Sequence, residues 1–163
     1  MRWKPRSLIE GVLQVLPSPK SGHSTIASNA FKMLLELAQR GLGNVYSAGF
    51  KIKEYPPSWI EPDAAFLVTE RVKATDPDRY VLGGPEIAVE VVSPSESDND
   101  IERKLDLMLG SGCQAVWVVY PESKTVHVFP PDGTSVRRGI GDTLTAPFLA
   151  ADWSAPVARL VES

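Results

Sequence analysis

One stretch of the sequence decides the fold: residues 85–120, PEIAVEVVSPSESDNDIERKLDLMLGSGCQAVWVVY. Two largely apolar runs of strand length, residues 86–92 and 115–120, lie on either side of an acidic segment. Runs of this kind are typical of strands that are buried on both faces of a sheet. The stretch therefore predicts a strand, a helix and a second strand.

The acidic segment between the two runs predicts the helix. Ser93 or Ser95 can cap its start, and the acidic residues between 96 and 102 favour its N-terminal end through the helix dipole. Gly110 and Gly112 end the helix. The stripe that we expect to be buried consists of Ile101, Leu105, Met108 and Leu109.

Glu90 is the unusual residue of the first strand, because it places a carboxylate inside an apolar run. Strand alternation puts Glu90 on the same face as Ala88 and Val92. A buried charge costs free energy unless it has a charged partner or a metal ion. We therefore expect Glu90 to have one of these partners, while Glu86, at the start of the strand, is expected in solvent.

The rest of the chain predicts one more helix and further strands. Apolar residues recur at helical spacing from Ser24 to Arg40, and Ser21 or Ser24 can cap this helix. The other strand predictions are two short paired strands within 8–16, then 45–53, 62–69 and 125–129, and two short strands after the turn at 130–133. The two prolines of Tyr55–Ile60 predict a loop, and the polar segment Glu70–Gly84 predicts a surface excursion.

This order of elements predicts an α/β (or α+β) fold, a mixed β-sheet flanked by two main helices. The chain has 163 residues, the length of one ordinary domain, and we expect a single domain over 1–163. No run approaches the roughly 18 apolar residues of a membrane span, and the N-terminus lacks the apolar core of a signal peptide. The single cysteine, Cys113, leaves no intrachain disulfide. We therefore expect a cytoplasmic protein without membrane association.

Three charged residues form a candidate site: Asp63, Glu90 and Lys104. If the strands that carry the two acids are neighbours, the carboxylates meet at one end of the sheet, and two convergent acids suit Mg²⁺ (or Mn²⁺). Lys104, about a turn beyond the start of the second helix, could reach back toward Glu90. A metal, two acids and a lysine together can hydrolyse a phosphodiester.

Each of these residues also has a structural interpretation. Asp63 follows Pro62, where an aspartate often belongs to a turn or a cap. Glu90 could pair with Lys104 or Arg103 without any chemistry, and Lys104 could be an i,i+4 partner of Asp100 on the helix surface.

Three segments of the sequence resemble the Uma2 family, a group of restriction-endonuclease-like proteins within the PD-(D/E)XK nuclease superfamily. These segments are Glu61-Pro62-Asp63, the run from Pro85 to Ser95, and Asp100-Ile101-Glu102-Arg103-Lys104-Leu105. Residues 110–129, 8–26 and 141–144 are also similar to the family, so the resemblance extends over nearly the whole chain.

The resemblance implies a restriction-endonuclease-like fold, with Asp63 and Glu90 as the catalytic and metal-binding acids. Val92 occupies the position, two residues after Glu90, at which the superfamily has its lysine. In the Uma2 family this lysine is on the helix, which implies that Lys104 replaces it. Glu10, His23 and Asp100 are further candidates close to the site.

The expected function is therefore Mg²⁺-dependent hydrolysis of DNA. The acidic balance, a net charge of -3, favours a different possibility, a nuclease-like fold that binds or assembles without turnover. Hydrolysis of RNA or a nucleotide is a third possibility. A small nuclease usually needs a second copy to cut both strands of a duplex, so a homodimer is also expected.

Overall fold

The structure is a computed structural model that describes residues 3–162, with side chains described for 7–15 and 18–162. The ends of the predicted domain, residues 1, 2 and 163, lie outside the described residues. A central six-stranded sheet has the order β11-β10-β9-β8-β6-β3. In chain order its strands are β3 (Gly43–Tyr46), β6 (Ala64–Val68), β8 (Ile87–Val91), β9 (Ala115–Tyr120), β10 (Thr125–Phe129) and β11 (Val136–Arg138).

Two main helices lie on opposite faces of the central sheet. Helix α1 (Ser21–Gln39) packs with the side chains of Phe66, Val89 and Trp117, whereas α3 (Asp98–Gly110) packs with those of Ala88, Val116 and Val118. Alternation along each strand produces this division, because successive side chains point to opposite faces. The sheet is mixed, since β8 pairs parallel with β9 and antiparallel with β6. The predicted fold class is therefore confirmed.

Two smaller sheets contribute to the hydrophobic cores on the two faces of the central sheet. The first has the order β2-β1-β5-β4-β7 and lies on the same face as α3; it contains β1 (Trp3–Ile9), β2 (Val12–Pro17), β4 (Phe50–Lys53), β5 (Ser58–Ile60) and β7 (Val81–Leu82). The second pairs β12 (Thr143–Ala146) with β13 (Ala150–Pro156) beside α1, with the short helix α4 (Ala158–Val161) after it. Trp153 of this pair stacks on Trp117 of the central sheet, with ring centroids 6.3 Å apart.

Several local predictions were wrong where distant segments decide the conformation. Residues 58–60, predicted as loop, form β5, because they pair with both β1 and β4. The predicted surface excursion 70–84 contains β7 and most of α2 (Thr69–Ala74), and Val81 is buried in the core. The predicted strand 45–53 is divided between two sheets, with β3 in the central sheet and β4 in the other.

The predicted helices exist, but both begin at different residues from those expected. Helix α1 follows Lys20, whose side chain makes no capping hydrogen bond. Helix α3 follows Ser97 instead of Ser93 or Ser95: Ser97 Oγ accepts the Asp100 N–H, and Asp100 Oδ2 accepts the Ser97 N–H. This reciprocal capping box satisfies two backbone donors that no carbonyl inside the helix can reach.

Glu86 was predicted in solvent, and this was wrong. Its side chain is 14% exposed, and Oε1 lies 2.7 Å from Arg71 Nη1. Glu86 Oε2 accepts the Val68 N–H at 2.8 Å, while the Arg71 guanidinium also donates to the carbonyls of Gly84 and Leu82. One ion pair therefore joins α2 to the chain that leads into β8.

Replacing Arg71 with methionine should lower the free energy of unfolding by about 2–3 kcal/mol, because it leaves Glu86 and two carbonyls without their charged donor. Urea denaturation measures the loss. Lys73→Met provides the matched control, since Lys73 is an exposed cation of the same helix and should change the value by less than about 0.5 kcal/mol. Equal effects of the two substitutions would contradict a structural role for the Arg71–Glu86 pair.

Candidate active site

A cleft of about 730 Å³ opens where β8 ends. The first residues of α1, the end of β5 and the loop that follows β8 form its walls. Five ionisable side chains that concern the chemistry line it: His23, Asp63, Glu90, Glu96 and Lys104. The cleft therefore brings together the three residues that the sequence singles out, with two more.

Asp63 and Glu90 come together because β6 and β8 are antiparallel neighbours. Ala64 is paired with Val89, so the same register extended by one residue sets Asp63 opposite Glu90. The Asp63 side chain is 5% exposed, and its Oδ2 accepts the Val91 N–H at 2.8 Å. This bond holds the carboxylate of Asp63 at the end of the strand that carries Glu90.

Lys104 reaches the same place from α3. Its Nζ lies 3.5 Å from Glu90 Oε2 and 2.5 Å from Glu96 Oε1. The side chains of Lys104 and Glu90 are only 12% and 13% exposed. The Lys104 side chain thus extends from α3 to Glu90 at the end of β8.

Burial and charge shift the pKa values of this group in a consistent way. Burial raises the pKa of Glu90 to about 7, and the carboxylates of Asp63 and Glu96 add to that rise against the opposing effect of Lys104. Burial alone would lower the pKa of Lys104, but Glu90 and Glu96 together outweigh it and raise that pKa. Lys104 is therefore a cation at neutral pH, while Glu90 exchanges its proton near neutrality.

The raised pKa of Glu90 predicts a pH-dependent stability. The folded chain holds the Glu90 proton up to about pH 7, whereas the unfolded chain loses it near 4.5, so this contribution to stability is full below 4.5 and is lost as the pH rises to 7. Relative to the Glu90→Gln variant, the native chain should lose about 3 kcal/mol of unfolding free energy across that window. Urea denaturation at several pH values measures the difference; parallel curves would contradict the raised pKa.

His23 lies against Asp63 from the start of α1. Its Nε2 is 3.1 Å from the Val91 carbonyl oxygen and 3.5 Å from Asp63 Oδ2. Because the carbonyl can only accept, Nε2 donates in this hydrogen bond. His23 therefore joins α1 to the end of β8, next to a predicted metal-binding acid.

The other two candidates near the site lie outside the lining of this cleft. Glu10 is exposed in the turn between β1 and β2, where it lies 3.7 Å from Lys53 and borders a separate groove. Asp100 belongs to the capping box of α3 with Ser97. In the structure Glu10 contacts the β4 strand, and Asp100 stabilises the start of the helix that carries Lys104.

Glu96 is the residue that sequence reasoning missed. The acidic composition of this segment indicates only helix-dipole stabilisation, yet Glu96 precedes α3 and turns inward, with its side chain 5% exposed. Its carboxylate accepts from Ser93 N–H and from Lys104. No sequence pattern distinguishes Glu96 from the neighbouring acids, because Glu96 precedes the helix and has no helical periodicity to place its side chain.

Asp63 and Glu90 are the side chains that could hold a cation here. Among residues 3–162, no group of three or more His, Cys, Asp and Glu side chains is arranged to hold a metal ion. Mg²⁺ does not require such a group, because it commonly takes one or two carboxylates and keeps several waters. The hard oxygen donors of Asp63 and Glu90, open to a cleft with room for water, fit such an ion.

Comparisons with known proteins concern the fold and the family of the chain. A solved structure from Anabaena variabilis, described as "a putative nuclease belonging to DUF820", superposes with a TM-score of 0.82 and 18% sequence identity, over 96% of this chain and 89% of that one. No curated protein matches the sequence significantly. No helix of the described residues is long and apolar enough to cross a membrane. The model of the Uma2 family, described as "Putative restriction endonuclease", matches residues 5–158, and the chain belongs to that family.

Proposed function

We propose that the chain is a Mg²⁺-dependent (or Mn²⁺-dependent) endonuclease that hydrolyses DNA phosphodiester bonds. The observation that carries the proposal is the convergence of Asp63, Glu90 and Lys104 in one cleft. Membership of a family described as restriction endonucleases supports the nuclease class, and the fold of a structure titled a nuclease is consistent with it. Two acids and a cation that line one cleft match the requirements of phosphodiester hydrolysis.

In this proposal Asp63 and Glu90 hold the metal through their carboxylate oxygens. The ion would polarise a phosphoryl oxygen and make a bound water more acidic. Glu90 must release its proton to take this role, and its pKa of about 7 allows this at neutral pH. The Val91 N–H holds Asp63 toward the same space.

Lys104 supplies positive charge that does not depend on the metal. Its ammonium stays protonated because two carboxylates raise its pKa. In the cleft it can orient the attacking water or stabilise the charge that grows on the phosphoryl oxygens. The start of α1, which also lines the cleft and has no acidic residue in its first turn, adds partial positive charge to the cleft.

A small nuclease usually needs a second copy to cut both strands of a duplex. We therefore infer a homodimer with two-fold symmetry as the cleaving species. Light scattering of the purified chain, with and without duplex DNA, measures the mass that tests this inference.

The experiment for the proposed function is cleavage of supercoiled plasmid, linear duplex and single-stranded DNA in Mg²⁺ or Mn²⁺, with RNA and nucleotides as alternative substrates. The native chain should cut DNA, and both EDTA and Asp63→Asn should abolish cutting, because each removes the metal. Cleavage of RNA or nucleotides alone would replace DNA as the substrate. Failure to bind either metal, with every substrate intact, would overturn the proposal.

One observation favours a binding or assembly module without turnover. Lys104 already pairs with Glu96 and Glu90, and with Glu90 protonated, as its raised pKa of about 7 favours, these three side chains carry no net charge that a metal must compensate. Such a module would bind neither Mg²⁺ nor Mn²⁺ and would keep its cellular role after Asp63→Asn. Metal binding therefore separates the two functions before any substrate is known.

A further inference from the structure

Glu96 is fixed in the wall of the cleft by both of its carboxylate oxygens. It lies in the loop between β8 and α3, where its Oε2 accepts the Ser93 N–H at 3.1 Å. Its Oε1 lies 2.5 Å from Lys104 Nζ. The Glu96 N–H in turn donates to the Ser93 carbonyl at 3.0 Å, so the loop is closed on itself. The carboxylate of Glu96 is thus a preformed acceptor for the lysine.

Lys104 is shared unequally between two acids. Its Nζ is 1.0 Å nearer to Glu96 than to Glu90, from distances of 2.5 and 3.5 Å. Attraction between opposite charges strengthens as they approach, most of all where little water screens them. Glu96 is therefore the nearer partner of Lys104, and Glu90 is the more distant one.

Without Glu96, the Lys104 ammonium would lie in a different position. Lys104 sits on a flexible four-carbon stem, and Glu90 would be the nearest remaining partner for its buried charge. A closer Lys104–Glu90 pair would occupy the carboxylate oxygens that a divalent cation needs. Lysine and metal would then compete for the same ligand.

We propose that Glu96 is a positioning residue that holds the Lys104 ammonium away from Glu90 and so keeps Glu90 available to a divalent cation. This inference rests on the proposed metal-dependent function and gives the two acids separate roles: Glu90 binds the metal, and Glu96 binds the lysine. A merely structural Glu96 would change the stability of the loop but would not change metal affinity through Lys104.

The test is Mn²⁺ binding in the absence of any substrate. Binding is measured as the loss of the electron paramagnetic resonance signal of the free ion. Glu96→Gln should weaken Mn²⁺ binding by about tenfold or more, the usual effect of losing a group that supports a metal ligand. The amide keeps an acceptor for Ser93 N–H, so the loop should still form. Glu102→Gln is the matched control, because Glu102 is an exposed acid of α3 and should leave binding unchanged.

The decisive comparison adds Lys104→Met to Glu96→Gln. Without an ammonium to occupy Glu90, the double variant should bind Mn²⁺ within about threefold of Lys104→Met alone. The inference is overturned if Glu96→Gln binds like the native chain, or if the double variant stays as weak as Glu96→Gln. If Glu96→Gln fails to fold, Glu96→Ala, alone and combined with Lys104→Met, carries the same comparison, because alanine also removes the carboxylate.

The outcome also separates this inference from the proposed function. If the native chain binds Mn²⁺ and Glu96→Gln binds it equally well, the role of Glu96 is overturned but the proposed metal site is not. Native chain that binds no Mn²⁺ overturns the metal-dependent function and the role of Glu96 with it.

Discussion

Replacing Glu90 with glutamine should lower the rate of metal-dependent DNA cleavage by on the order of 10³-fold or more. Glutamine keeps the size of the side chain but removes the charge that a divalent cation requires. Glu90 also lies between Asp63 and Lys104, and no other acid in the described part of the cleft takes that place. Gel assays of plasmid nicking measure the loss, and Mn²⁺ titration should show weaker binding in parallel.

The control for this prediction must distinguish a loss of catalytic activity from a loss of the folded structure. Glu90→Gln should remain folded, because removing a buried carboxylate also removes the cost of keeping it charged. Glu61→Gln is a matched control, since Glu61 is a partly exposed acid that lines the same cleft from the end of β5. Cleavage by Glu90→Gln at the native rate would contradict its assignment as a metal ligand.

Replacing Lys104 with methionine should lower cleavage by about 10²–10³-fold while it preserves metal binding. Methionine retains most of the apolar stem of the lysine side chain but lacks the ammonium 3.5 Å from Glu90. Loss of a nearby positive charge should leave Mn²⁺ affinity equal or higher. The two variants therefore separate the two roles: Glu90→Gln loses metal and cleavage together, whereas Lys104→Met loses cleavage alone.

Two measurements check this separation. Single-turnover cleavage at saturating Mg²⁺ isolates the chemical step from metal affinity. Arg103→Met controls for a general loss of positive charge on α3, because Arg103 is exposed and lies outside the lining of the cleft. If Lys104→Met cuts as fast as the native chain, the lysine is a structural partner of Glu96 and Glu90 and takes no part in the chemistry.

Local sequence was sufficient to predict that β8, α3 and β9 follow one another as strand, helix and strand. The apolar run around Glu90 and the apolar residues of α3 each reflect burial within one segment, so their spacing predicts the element. The buried positions of α3 differ from the predicted stripe: Leu107 and Met108 are buried, whereas Ile101, Leu105 and Leu109 are only partly buried. The same reasoning was wrong for β5 and β7, which are short and gain their stability from pairing with segments far away in the chain. It was also wrong for Glu86, because its partner Arg71 comes from a helix that the sequence did not predict.

The sequence by itself determined that Glu90 is a charge inside a buried strand and that Lys104 follows on the next helix. Both facts follow from the periodicity of apolar residues within a short stretch, because burial of a face decides which positions of a strand or helix are apolar. Only the tertiary structure decided that Asp63 lies opposite Glu90, because this requires the antiparallel register of β6 against β8. Only the tertiary structure, too, determines that Glu96 points inward to Lys104, because the direction of a loop side chain depends on the elements that pack around it.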